Sequence, residues 1–232
     1  RTSLTVLGII IGVAAIVVVF APGEGIKSLV VCEVAAYGTD IIETEAKTPT
    51  KKNTTPSAQV TTLKTSDMEA IDRLENVKYS YGAIFGQQKV SWQSQNKRVF
   101  LFGVSATYTD IDKKSQPIEG RFFTAEEDRG QAMVAVLSYK LRQELFNNQP
   151  AVGQWIKIGN GKFQVIGVLE ERGGAVSMID FDNTVYLPLK TLQKRILGVD
   201  HVLYLMHQLN DVSRADDTAE EIKLLMRERH NI

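Results

Sequence analysis

The sequence predicts an apolar N-terminal helix followed by an α+β domain outside the membrane, and three observations carry that prediction. The first is an uncharged apolar run from Leu4 to Ala21. The second is the alternation of short strand and helix patterns downstream of Gly38, the mark of a mixed α+β or α/β region. The third is size: about 205 residues follow Gly25, enough for one large domain or for two smaller lobes with real cores.

The 18 positions of the apolar run span roughly 27 Å at about 1.5 Å per residue, close to the thickness of a bilayer core. A signal peptide and a buried core helix are the alternatives. A signal peptide has a shorter apolar region of about 7 to 15 residues, and Pro22 directly after the weak Val19-Phe20-Ala21 site is unfavourable for cleavage. A core helix would carry a polar stripe, and only Thr5 interrupts this run. Arg1 precedes the run and Glu24 is the first charge after it, so the positive-inside bias puts the N-terminus in the cytoplasm and everything after about residue 25 outside. A first residue of Arg rather than Met leads us to expect further residues before it.

Gly8 and Gly12 form a G-x-x-x-G pair that would let a neighbouring helix approach closely, although glycine is also simply common in membrane helices. Pro22, Gly23 and Gly25 form a weak point, because proline removes a helix hydrogen bond and glycine lowers helix propensity. They are the candidate hinge. Ile26 to Tyr37 continues as an imperfect amphipathic stalk with Ile26, Val30, Val34 and Tyr37 on one side and Glu33 within the stripe; Gly38 ends it.

Lys and Arg total 27, and so do Asp and Glu, a balance that gives no electrostatic reason to expect nucleic acid. The single cysteine, Cys32, excludes an intrachain disulfide and any thiolate zinc cluster. It reads as a small apolar residue.

Asp40 to Thr44 is a short strand, and Ala46 to Thr65 is a polar loop. Ser66 with Glu69 predicts a capping box for a helix over Asp67 to Glu75. Lys89 to Trp92 and Arg98 to Val104 read as strands, the second nearly all apolar and therefore central in its sheet. Gly120 to Phe123 ends an extended stretch, and Thr124 with Glu127 caps a further turn. Met133 to Leu137 is a buried strand, followed by a helix capped by Ser138 with Leu141, Leu145 and Phe146 inward. Trp155 to Ile158 and Lys162 to Leu169 form a hairpin, and Asn160-Gly161 suits a type I′ turn. Val185 to Leu187 is a strand and Leu189 to Leu197 a short helix. His201 to Leu209 is the last strand. A helix from Ser213 to about His230 turns Ala215, Ala219, Ile222, Leu225 and Met226 inward, with acidic residues at its start and basic ones at its end, as the helix dipole favours.

No motif for nucleophilic catalysis, zinc or nucleotide binding is present. Asp110 with Asp112, and Asp180 with Asp182, could ligate a hard cation, but neither pair continues into a calcium loop, and both read as solvated acidic turns. His201, His207 and His230 lack ligand spacing, and His201 and His207 read as structural. No catalytic, cofactor or metal site is expected.

The segments "RTSLTVLGIIIGVAAIVVVFAPGEG", "YGTDII", "TLKTSDMEAIDRLENV", "IEGRFFTAEED", "AVLSYKLRQELF", "PAVGQWIKI", "FQVIGVLEERGG" and "LLMRERHNI", in this order, resemble the first membrane helix and periplasmic domain of MacB-type ABC transporter permeases. The resemblance covers essentially the whole chain. It implies a transmembrane helix and stalk over residues 1–37. A two-lobed extracytoplasmic domain would follow, with a Porter-like lobe formed by 38–119 and 200–232 and a Sabre-like lobe, 120–199, inserted between them. The chain would then be a fragment ending just before a second membrane helix. Pro22 and Glu33 depart from the family pattern and put the straightness of the first helix in question.

The resemblance further implies a non-catalytic permease subunit of a bacterial inner-membrane exporter that passes the effect of cytoplasmic ATP hydrolysis to its outer domain. ATP and magnesium would sit on a separate or fused ABC ATPase. The other expected partners are a second copy or related permease and membrane lipid; a periplasmic adaptor is left open. A singly anchored envelope sensor or adaptor is the second reading, and a membrane-tethered hydrolase a distant third.

Overall fold

The computed structural model describes residues 40–46, 61–147, 149–171 and 181–231. The run expected to cross the membrane, the expected stalk, Gly8, Gly12, Pro22, Gly23, Gly25 and most of the polar loop lie outside them. Among the described residues, no helix is long and apolar enough to cross a membrane.

The strands are β1 (Ile41–Glu45), β2 (Val77–Trp92), β3 (Gln95–Val104), β4 (Pro117–Gly120), β5 (Val134–Leu137), β6 (Trp155–Ile158), β7 (Gly161–Leu169), β8 (Thr184–Pro188) and β9 (Tyr204–Leu209). The helices are α1 (Thr65–Ile71), α2 (Tyr108–Ile111), α3 (Ala125–Arg129), α4 (Tyr139–Phe146), α5 (Leu189–Thr191, running into a π-helical turn Leu192–Leu197) and α6 (Ala215–His230). All nine strands form one sheet in the order β1-β9-β2-β3-β8-β5-β7-β4, with β6 pairing both β2 and β7. The pairings therefore run β2-β3-β8-β5-β7-β6 and return to β2. Strands from the segments assigned to both expected lobes share this sheet, and Asp40–Ile232 clusters as one compact unit.

Two cores follow from the alternation of side chains along the strands. One face packs Val90, Leu101, Leu137, Ile156 and Val185 against Leu141, Leu145 and Phe146 of α4, the inward set expected from the sequence, and against Leu189 and Leu192 of α5. The other is aromatic, with Tyr81, Phe102, Tyr108 and Tyr186 at its centre; the Phe85 and Phe102 rings stack with centroids 4.6 Å apart.

The structure differs from the sequence reading at several points. β2 begins twelve residues before the expected Lys89. Its first half is poor in strand signal because Gly82 and Gly86 stand where Leu189, Leu205 and Leu197 press on the backbone. The β6–β7 turn is Gly159-Asn160, flanked by the Ile158–Gly161 pair. Only Gly159 takes a positive φ there, 55°, which is the type II′ requirement rather than type I′. Helix α1 stops at Ile71, and its cap is Lys64, whose backbone N–H donates to the Asp67 carboxylate at 2.9 Å; Ser66 and Glu69 do not form the box. The Thr124–Glu127 box does form, and Glu127 also takes Arg121 through two 2.7 Å bonds. Ser138 starts α4 without capping it, since its hydroxyl donates to the Asp182 carbonyl at 2.7 Å. His201 makes only an isolated bridge to Lys64 before β9 begins.

Asp112 is buried and accepts from the Tyr108 hydroxyl at 2.8 Å, so it is an internal acceptor and not a solvated turn residue. Asp180 lies outside the described residues. His207 is buried on β9, with Nδ1 2.7 Å from the Ser80 hydroxyl and Nε2 without a hydrogen-bond partner. Burial lowers its pKa to about 4.

Two predictions follow from this packing. A Cβ on Gly167 would stand 2.3 Å from the Arg121 carbonyl oxygen, which is backbone and has no rotamer to yield. Gly167→Ala is therefore expected to cost about 1–3 kcal/mol, read from the urea midpoint at unchanged m-value. The second concerns His207: the unfolded chain takes up its proton near pH 6.5, the folded one only near pH 4. Stability should be full above pH 6.5 and fall by up to about 3 kcal/mol as pH drops toward 4. His207→Gln should flatten that slope in denaturation curves taken between pH 7.5 and 4.5, and an unchanged slope would assign it to other groups.

Candidate functional site

The first and last described parts of the chain meet on one strand. β1 pairs β9 antiparallel over five residues, from Ile41–Gln208 to Glu45–Tyr204. The Leu209 N–H donates to the Asp40 carbonyl at 2.7 Å, and the Gln208 amide to the Asp40 carboxylate at 2.7 Å. Antiparallel bonds alternate, so Ile42 and Thr44 are the β1 residues that exchange hydrogen bonds with β9. On its other side β9 pairs β2 from Leu209–Val77 to Tyr204–Ala83. β9 is thereby shared between β1 and β2, the longest strand of the sheet.

β9 leads within a few residues into α6, whose 16 residues give a rod of about 24 Å. Ile222 is its deepest apolar contact and joins the same core as Ile71 and Leu63. Thr218, absent from the apolar stripe read in the sequence, is buried as well. Leu225, Met226 and Ala219 are partly buried, as expected of the inward face.

Polar clusters fasten this rod at both ends. At its start, buried Asn76 donates to the Asp211 carbonyl at 2.9 Å and to the Thr218 hydroxyl at 2.8 Å, and accepts from the Asp211 N–H at 2.8 Å. At its end, Arg229 Nε reaches Asp67 at 2.8 Å and His230 Nε2 reaches the same carboxylate at 3.1 Å. Burial alone would raise the Asp67 carboxyl, but Arg229, the Lys64 backbone N–H and His230 together hold it below the usual carboxylate range. Helix α1 and the turn after it are thus a brace clamped along α6.

The sequence could not have shown either clamp, because the partners lie more than 130 residues apart and no local pattern links them. It brought out the acid-to-base gradient of α6, and the structure gives Arg229 and His230 a further use beyond the helix dipole. Among the described residues no three His, Cys, Asp or Glu side chains are grouped to hold a metal ion. His201, His207 and His230 are not brought together: they lie at a bridge, in the core and at the α6 end respectively. The membrane-helix and hinge glycines expected as sites lie outside the described residues.

The family described as the MacB-like periplasmic core domain matches residues 2–225. The pyoverdine export ATP-binding/permease protein PvdT of Pseudomonas syringae pv. syringae is 32% identical over 232 residues, covering 100% of this chain and 34% of that protein. The macrolide export ATP-binding/permease protein MacB of Wolinella succinogenes is 32% identical over 231 residues, covering 99% of this chain and 35% of that protein. The chain thus spans about a third of the length of these curated relatives. Among solved structures, the periplasmic region of MacB from Actinobacillus actinomycetemcomitans superposes with a TM-score of 0.71 at 17% identity, over 84% of this chain and 86% of that one. The extracellular domain of the ABC-type transporter YknZ gives 0.68 at 18% identity, over 82% and 95%. The fold is that of these extracytoplasmic domains, and the chain belongs to the MacB-like periplasmic core domain family.

Proposed function

We propose that this chain is the first membrane helix and outer domain of a permease subunit in a MacB-type exporter. It carries out no catalysis; its part is to convert ATP-driven movement in the cytoplasm into rearrangement outside the membrane. The observation that carries this reading is the junction of β1, β9 and α6. A segment arriving from the N-terminal side meets a strand that is already fastened to the sheet on one flank and to a braced helix at its end. A pull on β1 loads five residue pairs together instead of dissipating in a loop.

The relatives are named as ATP-binding/permease proteins, which supports an ABC ATPase, fused or separate, as the partner that binds ATP and magnesium. A second copy or related permease, an inner-membrane position with the N-terminus in the cytoplasm, and helix packing through Gly8 and Gly12 belong to the same proposal. So does the division into a Porter-like lobe, 38–119 with 200–232, and a Sabre-like lobe, 120–199. In that division the β3–β8, β2–β6 and β4–β7 pairings are the seams between the two. The names of the relatives, one for pyoverdine and one for macrolides, point to amphiphilic small molecules as the exported class.

The test uses the assembled exporter with a spin label at the exposed Leu224 of α6. ATP turnover should change the distance between labels on the two copies. A flexible Gly-Ser insertion after Gly25, or Thr44→Pro in β1, should abolish that change while ATP hydrolysis continues, since a flexible linker or a broken ladder absorbs displacement. A distance indifferent to ATP in the unaltered protein would refute the mechanical reading.

The brace has its own test. Asp67→Ala removes a buried acceptor shared by Arg229, His230 and the Lys64 N–H and is expected to cost about 2 kcal/mol. Because the folded carboxyl is held low, this contribution is present above the ordinary carboxyl pKa of about 4 and disappears as pH falls through the lower folded value. The wild-type-minus-variant stability difference should therefore be fully present at pH 5 and shrink below pH 4.

A further inference from the structure

Two like-charged pairs stand on the solvent side of the sheet, where the β2–β3 and β6–β7 hairpins lie together. Lys89 is directly opposite Arg98, and Lys157 directly opposite Lys162. The Gly159 N–H donates to the Lys89 carbonyl at 3.2 Å, so the backbone bonds of Lys89 point toward β6 and not toward Arg98. Lys157 and Lys162 flank the pair that closes a two-residue turn. Both pairs thus occupy non-hydrogen-bonded positions, where side chains come closest, with Cα atoms about 4.5 Å apart.

Ser91 is the β2 partner of Lys157, which makes Lys89 its diagonal neighbour at about 7–8 Å. The four cations form one line across four strands. All four are exposed, and among the described residues none of them forms an ion pair. The nearby Lys97 sits on the opposite side of β3 and is already paired with Glu144. Like charges set face to face repel, and an anion seated among them would relieve that repulsion.

Beside the lysines lies an apolar platform. Trp155, two residues before Lys157 on the same face, is 57% exposed. With Ser91, Gln93, Lys157 and Lys162 it lines an open groove of ≈ 630 Å³, within the range of about 300–1,000 Å³ typical of small-molecule sites.

We propose that this groove binds a small anionic amphiphile, with the acidic head between Lys157 and Lys162 and the apolar body across the Trp155 indole. The inference rests on strand register and exposed side chains and not on the exporter reading, so either can fail without the other.

The chain holds two tryptophans, and Trp92 is 8% exposed, so a blue shift of the solvent-exposed emission reports Trp155. The chain in phosphatidylcholine nanodiscs is titrated with octyl phosphate, inorganic phosphate and octylammonium. Octyl phosphate should give a saturable blue shift, and the other two should need at least tenfold higher concentration. K157E/K162E should weaken octyl phosphate binding tenfold or more, the milder K157Q/K162Q about fivefold, and both variants should keep the wild-type circular dichroism spectrum. An equal response to octylammonium would mean an indiscriminate apolar patch, and an equal response to phosphate a bare anion site. Either result, or unaltered affinity in both variants, overturns the proposal. So does an emission already blue-shifted in phosphatidylglycerol nanodiscs before any ligand is added, which would make the bilayer surface the occupant.

Discussion

Everything in this domain is registered on β2. Its sixteen residues pair with β9 along the first half, with β3 along the second, and with β6 near the tip. A strand paired with three others cannot slip by one residue without turning every side chain to the wrong face. Tyr81, Ala83 and Phe85 would leave the aromatic core, and Ile84 and Val90 would leave the aliphatic one. The glycines that weaken the strand locally belong to the same constraint. Gly82 and Gly86 let Leu189 and Leu197 lie directly on the backbone, and Gly103 does the same for Leu192, whose Cβ would stand 2.9 Å from an added methyl. α5 is held close to the sheet because those positions carry no side chain.

How much of this could be read beforehand depended on how far apart the interacting residues are. Where a signal is local it was legible: the Thr124–Glu127 box, the inward triplet Leu141, Leu145 and Phe146, the β6–β7 hairpin, and the stripe through Ile222. Where the fold overrides local preference it was not. The first half of β2 carries little strand signal because its polar and glycine positions make sense only against β9 and α5. Asn160-Gly161 is the stronger local turn signal, yet the turn falls one residue earlier, because the pairing of Ile158 with Gly161 leaves Gly159 as the residue that must turn. Asp112 has the local sequence of a surface acid, and only the fold brings the Tyr108 hydroxyl over it. The clamps at Asn76 and Asp67 were beyond reach for the same reason, since nothing within a window of residues marks either as a partner of α6.

The candidate site is therefore less a set of reactive groups than a way of connecting ends. Family membership was visible in the order of short segments along the chain. The arrangement on which the proposed transmission rests, β1 and α6 joined through β9, is visible only in three dimensions. Its stiffness comes from ordinary sources: a five-pair ladder, a helix with a buried stripe, and two polar clusters whose partners are satisfied from several directions. None of these is strong alone. Their value lies in acting on the same strand and helix.

The closure of six strands through β6 has one more consequence. A sheet of nine strands would ordinarily present long unpaired margins, yet the pairing path leaves only β1 and β4 as its ends among the described strands. Each is short and chemically blunted. β1 carries Glu43 and Glu45, close enough that burial and mutual repulsion raise the Glu43 carboxyl. β4 opens with Pro117, which has no N–H to offer, and includes Glu119. Such edges resist strand addition by another chain. Copies of this domain crowded side by side are thereby discouraged from merging through β1 or β4 into a shared sheet.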